Sequence, residues 1–129
     1  MPRKTFTAGD VLTAADVNEY LSNEIILTSS TATTYTVLTS DRYETLVMAG
    51  TANSTISFST ATAFIAGERI DILQEGAGTV TIARDGTAVS LAGRGTAGTA
   101  YTIGQRYDAV SVVCVGTNSY RIIGNATAV

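Results

Sequence analysis

The chain changes its hydrophobic rhythm once. In residues 1–23, Val17, Tyr20 and Leu21 recur at i, i+3 and i+4, the single stripe of an amphipathic helix. Thr13-Ala14-Ala15-Asp16 offers a start for it: a hydroxyl for an orphan N–H, and three residues on an acidic group that the helix dipole favours. A helix is predicted over 13–23. One so short does not recover its nucleation cost in water, so it is ordered only when its stripe covers a surface.

From residue 24 onward the pattern becomes short β-type runs rich in Thr and Val. Strands are predicted at 24–28, 34–39, 43–49, 54–59, 68–74, 78–83, 87–92, 100–103 continuing into 108–115, and 119–124. Several alternate with period 2 (Ile56 and Phe58, Ile70 and Ile72, Val80 and Ile82, Val89 and Leu91, Val110 and Val112), so one face of each is core. Glu75-Gly76-Ala77-Gly78 reads as a glycine-containing hairpin, Asp85-Gly86 has the residues of a type I′ turn, and Gly116-Thr117-Asn118-Ser119 closes the last pair. Strands at this spacing predict an all-β class, a single β-sandwich or jelly-roll-like domain over 24–129, rather than parallel α/β layers. The only proline is Pro2, and no fixed-period repeat is visible. Residues 1–23 then form an N-terminal arm.

Composition narrows the function classes. Of 129 residues 45% are hydrophobic and 15% charged, against about 25% charged in ordinary soluble domains, which argues for a packed fold with part of its surface covered by partners. Net charge is −3, and the cations Arg3, Lys4, Arg42, Arg69, Arg84, Arg94, Arg106 and Arg121 are scattered. No nucleic-acid partner is expected from such a distribution. There is no apolar run near 18 residues and no apolar h-region after Met1, so neither a membrane span nor a secretory signal is expected. Cys114, within Val112-Val113-Cys114-Val115, reads as a buried small apolar side chain.

The chemistry-bearing inventory is thin. The chain has no histidine, removing the commonest general base and metal ligand, and its one lysine is Lys4. The acidic residues show no calcium-loop spacing. A non-enzymatic protein is expected, with no catalytic, metal or cofactor residues assigned. Gly93-Arg94-Gly95-Thr96-Ala97-Gly98 matches the dinucleotide fingerprint letter for letter, but β-type sequence follows where a helix must start. It reads as a surface loop. Asn53-Ser54-Thr55 and Asn125-Ala126-Thr127 fit the glycosylation sequon and read as turn and tail residues. Tyr35, Tyr43, Tyr101, Tyr107 and Tyr120, with Arg42, Arg106 and Arg121 beside three of them, are either half-exposed strand residues or a contact surface. Of these, Tyr101, Arg106, Tyr107 and Tyr120 are the candidates for an outer-surface contact.

The stretch Phe6-Thr7-Ala8-Gly9-Asp10-Val11-Leu12-Thr13-Ala14-Ala15-Asp16-Val17-Asn18-Glu19-Tyr20-Leu21 resembles the N-termini of many tailed-phage virion proteins, where a similar phrase opens tail-fibre, minor tail and head-decoration proteins. The segments from Gly67 to Ile82 and from Gly116 to Gly124 look like the β-module at the C-terminal ends of phage fibre-type proteins. The resemblance implies a virion surface protein made in the host cytoplasm, a homotrimer, with the arm as its attachment device. It implies as partner the major capsid protein or a tail protein of the same virion. Three functions stay open: a capsid decoration or cement protein, a tail-fibre or minor tail component in host attachment, and a carbohydrate-binding β module taking a host surface glycan.

The arm's contacts would come from Phe6, Val11, Leu12, Val17, Tyr20 and Leu21. Burying each large side chain is worth about 1.5–3 kcal/mol, against about 1–2 kcal/mol per residue to order the backbone. One arm roughly breaks even. Three arms on a trimer attach durably through effective concentration.

Overall fold

The computed structural model describes residues 5–18 and 26–129. Among these the β-type runs become twelve strands: β1 Leu27–Ser30, β2 Thr34–Thr36, β3 Thr45–Met48, β4 Ser54–Phe58, β5 Arg69–Gln74, β6 Val80–Arg84, β7 Ser90–Gly93, β8 Thr96–Gly98, β9 Ala100–Ile103, β10 Ala109–Gly116, β11 Ser119–Gly124 and β12 Ala126–Ala128. They form two sheets, in the orders β1-β3-β5-β10-β11-β7-β8 and β12-β9-β6-β4-β2. The sheets face each other as an all-β sandwich. Period-2 alternation is the cause. Leu46, Met48, Ile70, Ile72, Val110 and Val112 of the larger sheet share one cluster with Ile56, Phe58, Val80 and Ile82 of the smaller, none more than 2% exposed. Each such side chain removed from water contributes about 1.5–3 kcal/mol.

The winding departs from a jelly roll. From β1 to β6 the chain steps from one sheet to the other at every strand, and each strand pairs in parallel with the strand two before it. Residues 27–84 are therefore a parallel two-sheet coil of three turns. Leu27 aligns with Thr45 and Thr45 with Asp71, so successive turns advance by 18 and then 26 residues. That inequality hides the repetition from a fixed-period reading of the sequence. The later strands complete the sheets: β10 is antiparallel to both β5 and β11, β9 to β6, and β12 to β9, while β7 runs parallel to β11. One outward row of the smaller sheet, Thr34, Thr55, Thr81, Thr102 and Thr127, is threonine on all five strands.

Four local expectations are corrected by this winding. Glu75-Gly76-Ala77-Gly78 is not a hairpin but a corner carrying the chain from β5 in one sheet to β6 in the other. Its glycines serve close stacking on the corner of the turn before: a Cβ on Gly76 would stand 2.0 Å from the Gly50 carbonyl oxygen, and one on Gly78 2.0 Å from that of Ala52. Asp85-Gly86 also lies between sheets, and only its glycine has a positive φ, at 89°. Segments 100–103 and 108–115 are not one continued strand, because β9 and β10 belong to different sheets. The fingerprint-like stretch is not a loop but the β7–β8 hairpin, turning through Arg94 (φ 48°) and Gly95 (φ 79°), the two left-handed residues of a type I′ turn. Gly116-Thr117-Asn118-Ser119 does close the β10–β11 pair.

The first turn is anchored at its far corner. The Tyr35 hydroxyl donates to Asp41 Oδ1 at 3.1 Å, and Asp41 Oδ2 accepts the Leu38 N–H at 2.8 Å, fixing the 3₁₀ turn Thr39–Asp41. Burial first, then the Asp41 carboxylate, pushes the Tyr35 phenol up to about 12.

Two tests follow from this packing. Gly78→Ala drives a Cβ into the Ala52 backbone, and overpacking of this kind costs about 1–3 kcal/mol, read as a lower midpoint in urea unfolding; an unchanged midpoint would refute the stacked corner. For Tyr35, the unfolded phenol ionises near 10 and the folded one near 12. Its stabilising contribution is complete below pH 10 and lost as pH rises through 12. Wild type should therefore lose stability more steeply than Tyr35→Phe across that window, and equal slopes would refute the assignment.

Candidate functional site

Two local hydrogen-bonded turns shape the described part of the arm. Thr13 Oγ1 accepts the Asp16 N–H at 3.1 Å, and the Asp16 carboxylate accepts the Thr13 N–H at 3.0 Å. This is the capping box expected at the head of the helix, and it opens α1, Ala14–Asp16. Six residues earlier the same chemistry recurs. Thr7 donates its N–H and hydroxyl to Asp10 Oδ2 at 2.8 and 3.0 Å, the Asp10 N–H returns to the Thr7 carbonyl at 3.0 Å, and Gly9 turns the backbone with φ 96°. Both turns bond the Thr N–H and hydroxyl to Asp Oδ2, but the Asp N–H goes to the hydroxyl at Thr13 and to the backbone carbonyl at Thr7.

Four apolar side chains in the described part of the arm are solvent-exposed. Val11 is 79% exposed, Leu12 52%, Val17 42% and Phe6 41%. Tyr20 and Leu21, within residues 19–23 of the predicted helix, lie outside the described residues.

The aromatic candidates divide by burial. Tyr101 and Tyr120 are wholly buried, which corrects their assignment to an outer contact surface. Each stands two residues before a core isoleucine, Ile103 or Ile122, so each points inward by the same alternation. Tyr101 runs beneath the β7–β8 hairpin and donates its hydroxyl to the Thr96 carbonyl. A Cβ on Gly93 would meet its ring at 3.4 Å and one on Gly98 its hydroxyl at 3.1 Å, so these two glycines of the fingerprint make room for a tyrosine. Tyr120 packs on Phe58 and Phe64, with ring centroids 5.0 and 6.1 Å apart. Burial raises its phenol above the ordinary value, with the Phe64 backbone opposing. Cys114 is buried beside it, opposite Tyr120 in the β10–β11 register.

Arg106 and Tyr107 are exposed, and they form a built corner. The Arg106 guanidinium lies 4.7 Å from the Tyr107 ring centroid and its Nε donates to the Glu75 carbonyl at 2.8 Å. Tyr107 is held at φ 70°, its N–H donating to the Gln74 carbonyl at 2.7 Å. Left-handed backbone at an aromatic residue is strained, and surrounding bonds must hold it. Beside it Asn125 bridges two chain segments, donating to Asp108 Oδ2 at 3.0 Å and accepting from Arg94 at 3.4 Å. At the opposite end of β5, the buried carboxylate of Glu68 accepts the Ile65 N–H at 2.8 Å and faces Arg42 Nε at 3.3 Å.

This geometry offers surfaces for contact. A depression between the β7–β8 hairpin and β11 is flanked by Arg94 and Arg121, and a second lies between Phe64-Ile65-Ala66 and the Gly116-Thr117-Asn118 turn. Neither is lined by a carboxylate or a thiol. Among the described residues no three Cys, Asp or Glu side chains gather into a metal-binding group, and no helix is long and apolar enough to cross a membrane. Comparison with protein-family models, with curated proteins and with solved structures finds no match for the chain.

Proposed function

We propose that the chain is a non-enzymatic structural protein of a tailed-phage virion, a capsid decoration or cement protein that docks on the shell through its N-terminal arm and helps to stabilise it. The observation that supports this reading is how the two parts of the chain treat their apolar groups. The β body closes its own core, with twenty buried apolar residues in one cluster among the described residues. The described part of the arm instead pairs Thr7 with Asp10 and Thr13 with Asp16 and leaves Val11 and Leu12 more than half exposed. A segment with its hydrogen bonds already made and its apolar side chains outward is pre-organised to bind an apolar surface, because less ordering entropy remains to be lost on docking. The resemblance of residues 6–21 to phage virion N-termini points to a surface of the same virion, and for a decoration protein that surface is the major capsid protein. Several arms on one oligomer would convert a weak single contact into lasting attachment.

A second reading, a tail-fibre or minor tail component that touches the host, draws on the exposed Arg106–Tyr107 corner, since arginine and tyrosine are the residue types that dominate binding hot spots. Binding of the isolated protein to a glycan array, lost in Tyr107→Ala, would favour it.

Removal of residues 1–23 tests the main reading. The truncated chain should keep its β circular dichroism and cooperative unfolding, and be missing from purified particles assembled in its presence. Its incorporation at normal copy number would overturn the arm's role, and electron microscopy of intact virions would show where the full-length protein sits.

A further inference from the structure

The two outward faces of the sandwich are made of different residues. On the smaller sheet the outward positions of the strands are all Thr, Ser or Ala, the threonine row among them. The outward face of the larger sheet carries large aliphatic side chains instead: Leu27 on β1, Val47 on β3, Leu73 on β5, Val113 on β10 and Ile123 on β11. Leu27 is 67% exposed and Ile123 60%, and the other three are half-buried. Alternation places them there, since inward residues flank them, Leu46 and Met48 around Val47 and Val112 and Cys114 around Val113. A sheet face that meets only water is ordinarily polar, as the smaller sheet's is.

Cross-strand register arranges this face around a bonded polar centre. Val47, Leu73 and Ala109 stand side by side, and in the next row Asp71 lies between Thr45 and Ser111. The Asp71 carboxylate accepts the Ser111 hydroxyl and faces Arg69 Nη2 at 3.5 Å. Arg121, on the same face, donates to Ser119 Oγ at 3.2 Å and to the Tyr120 carbonyl at 3.0 Å. The charged groups of the face thus have partners within the subunit, which lowers the cost of taking them out of water.

We infer that a second copy of this chain covers this face, the larger sheets of the two copies packed against each other about a two-fold axis. Size and charge pattern both fit a copy of itself. Seven strands about 4.8 Å apart and about five residues deep offer about 600 Å². Two copies then bury about 1,200 Å² in total, where the range of stable specific interfaces begins. Ile70, Val112 and Ile122 share one cross-strand row. A two-fold axis running over that row, midway between the faces, sets Arg69 opposite the second copy's Asp71 and Asp71 opposite its Arg69. The same axis sets Ser111 opposite Val113 and the Arg121 stem opposite Ile123. Opposite charges two residues apart on one strand are therefore self-complementary in an isologous contact. Aligned sheets packed about 10 Å apart are the geometry the sandwich already uses within one subunit. The inference concerns the β body alone, does not depend on the virion reading, and differs from the trimer that the resemblance implies.

Arg69→Asp and Asp71→Arg in the full-length protein supply the test. Light-scattering mass is measured over a hundredfold range of concentration, with circular dichroism confirming each fold. Wild type should reach two subunits. Each of the two variants would face like charges twice across the axis and should fall to one, whereas their equimolar mixture should return to two, because the facing charges are again opposite. Leu27→Lys with Ile123→Lys should also fall to one, and Thr34→Lys with Thr127→Lys, the same added charge on the other sheet, should match wild type. A wild-type mass of one or three subunits would overturn the inference. So would a Leu27/Ile123 variant that stays dimeric, dissociation by the threonine pair, or a mixture that remains at one subunit.

Discussion

The structure depends on one constraint: in the coil of residues 27–84, each new turn must match the backbone hydrogen-bonding groups of the previous turn in two sheets at once. A parallel pair has no tight hairpin to set its register, so the register comes from burial. A slip of one residue in β5 would turn Ile70 and Ile72 to solvent and Arg69 and Asp71 into the core, an exchange that buried charge makes prohibitive. Corners have to be thin for the turns to stack, and this is why Gly76 and Gly78 press against the backbone at Gly50 and Ala52. Core alternation and corner glycines are two expressions of the same requirement.

That distinction also explains what was legible in the sequence. All ten residues named from alternation, from Ile56 and Phe58 to Val110 and Val112, are buried, because inward and outward positions are a local property of a strand. Connectivity is not local. Glu75-Gly76-Ala77-Gly78 carries the composition of a hairpin turn, yet here glycine answers to a neighbouring backbone rather than to a positive φ, and composition does not separate those causes. The same holds for Gly93 and Gly98, which accommodate the Tyr101 ring. The signal for Tyr101 and Tyr120 as core residues was present in the spacing to Ile103 and Ile122. An adjacent arginine suggests a surface pair at Tyr120, which is buried, as it does at Arg106 and Tyr107, which are exposed.

The candidate site was legible in a different way. The arm's capping box appears where Thr13 and Asp16 predicted it, since a cap needs only four residues of context. The related turn at Thr7 and Asp10 carries no such signal in the sequence, because no helix follows it. What a segment binds is not encoded in its own hydrogen bonds, and so the proposed role of the arm draws on resemblance and on the exposure of Val11 and Leu12.

The position of β10 has a consequence for how the polypeptide acquires its shape. It is the middle strand of the larger sheet, lying between β5 and β11, and it is built from residues 109–116. The smaller sheet likewise gains its border strand only from residues 126–128. Contacts this distant along the chain slow folding, since loop closure comes before the reward. During synthesis the earlier turns leave the ribosome without the strand that fills the centre of their sheet, so the sandwich is completed only once residues 109–128 have emerged.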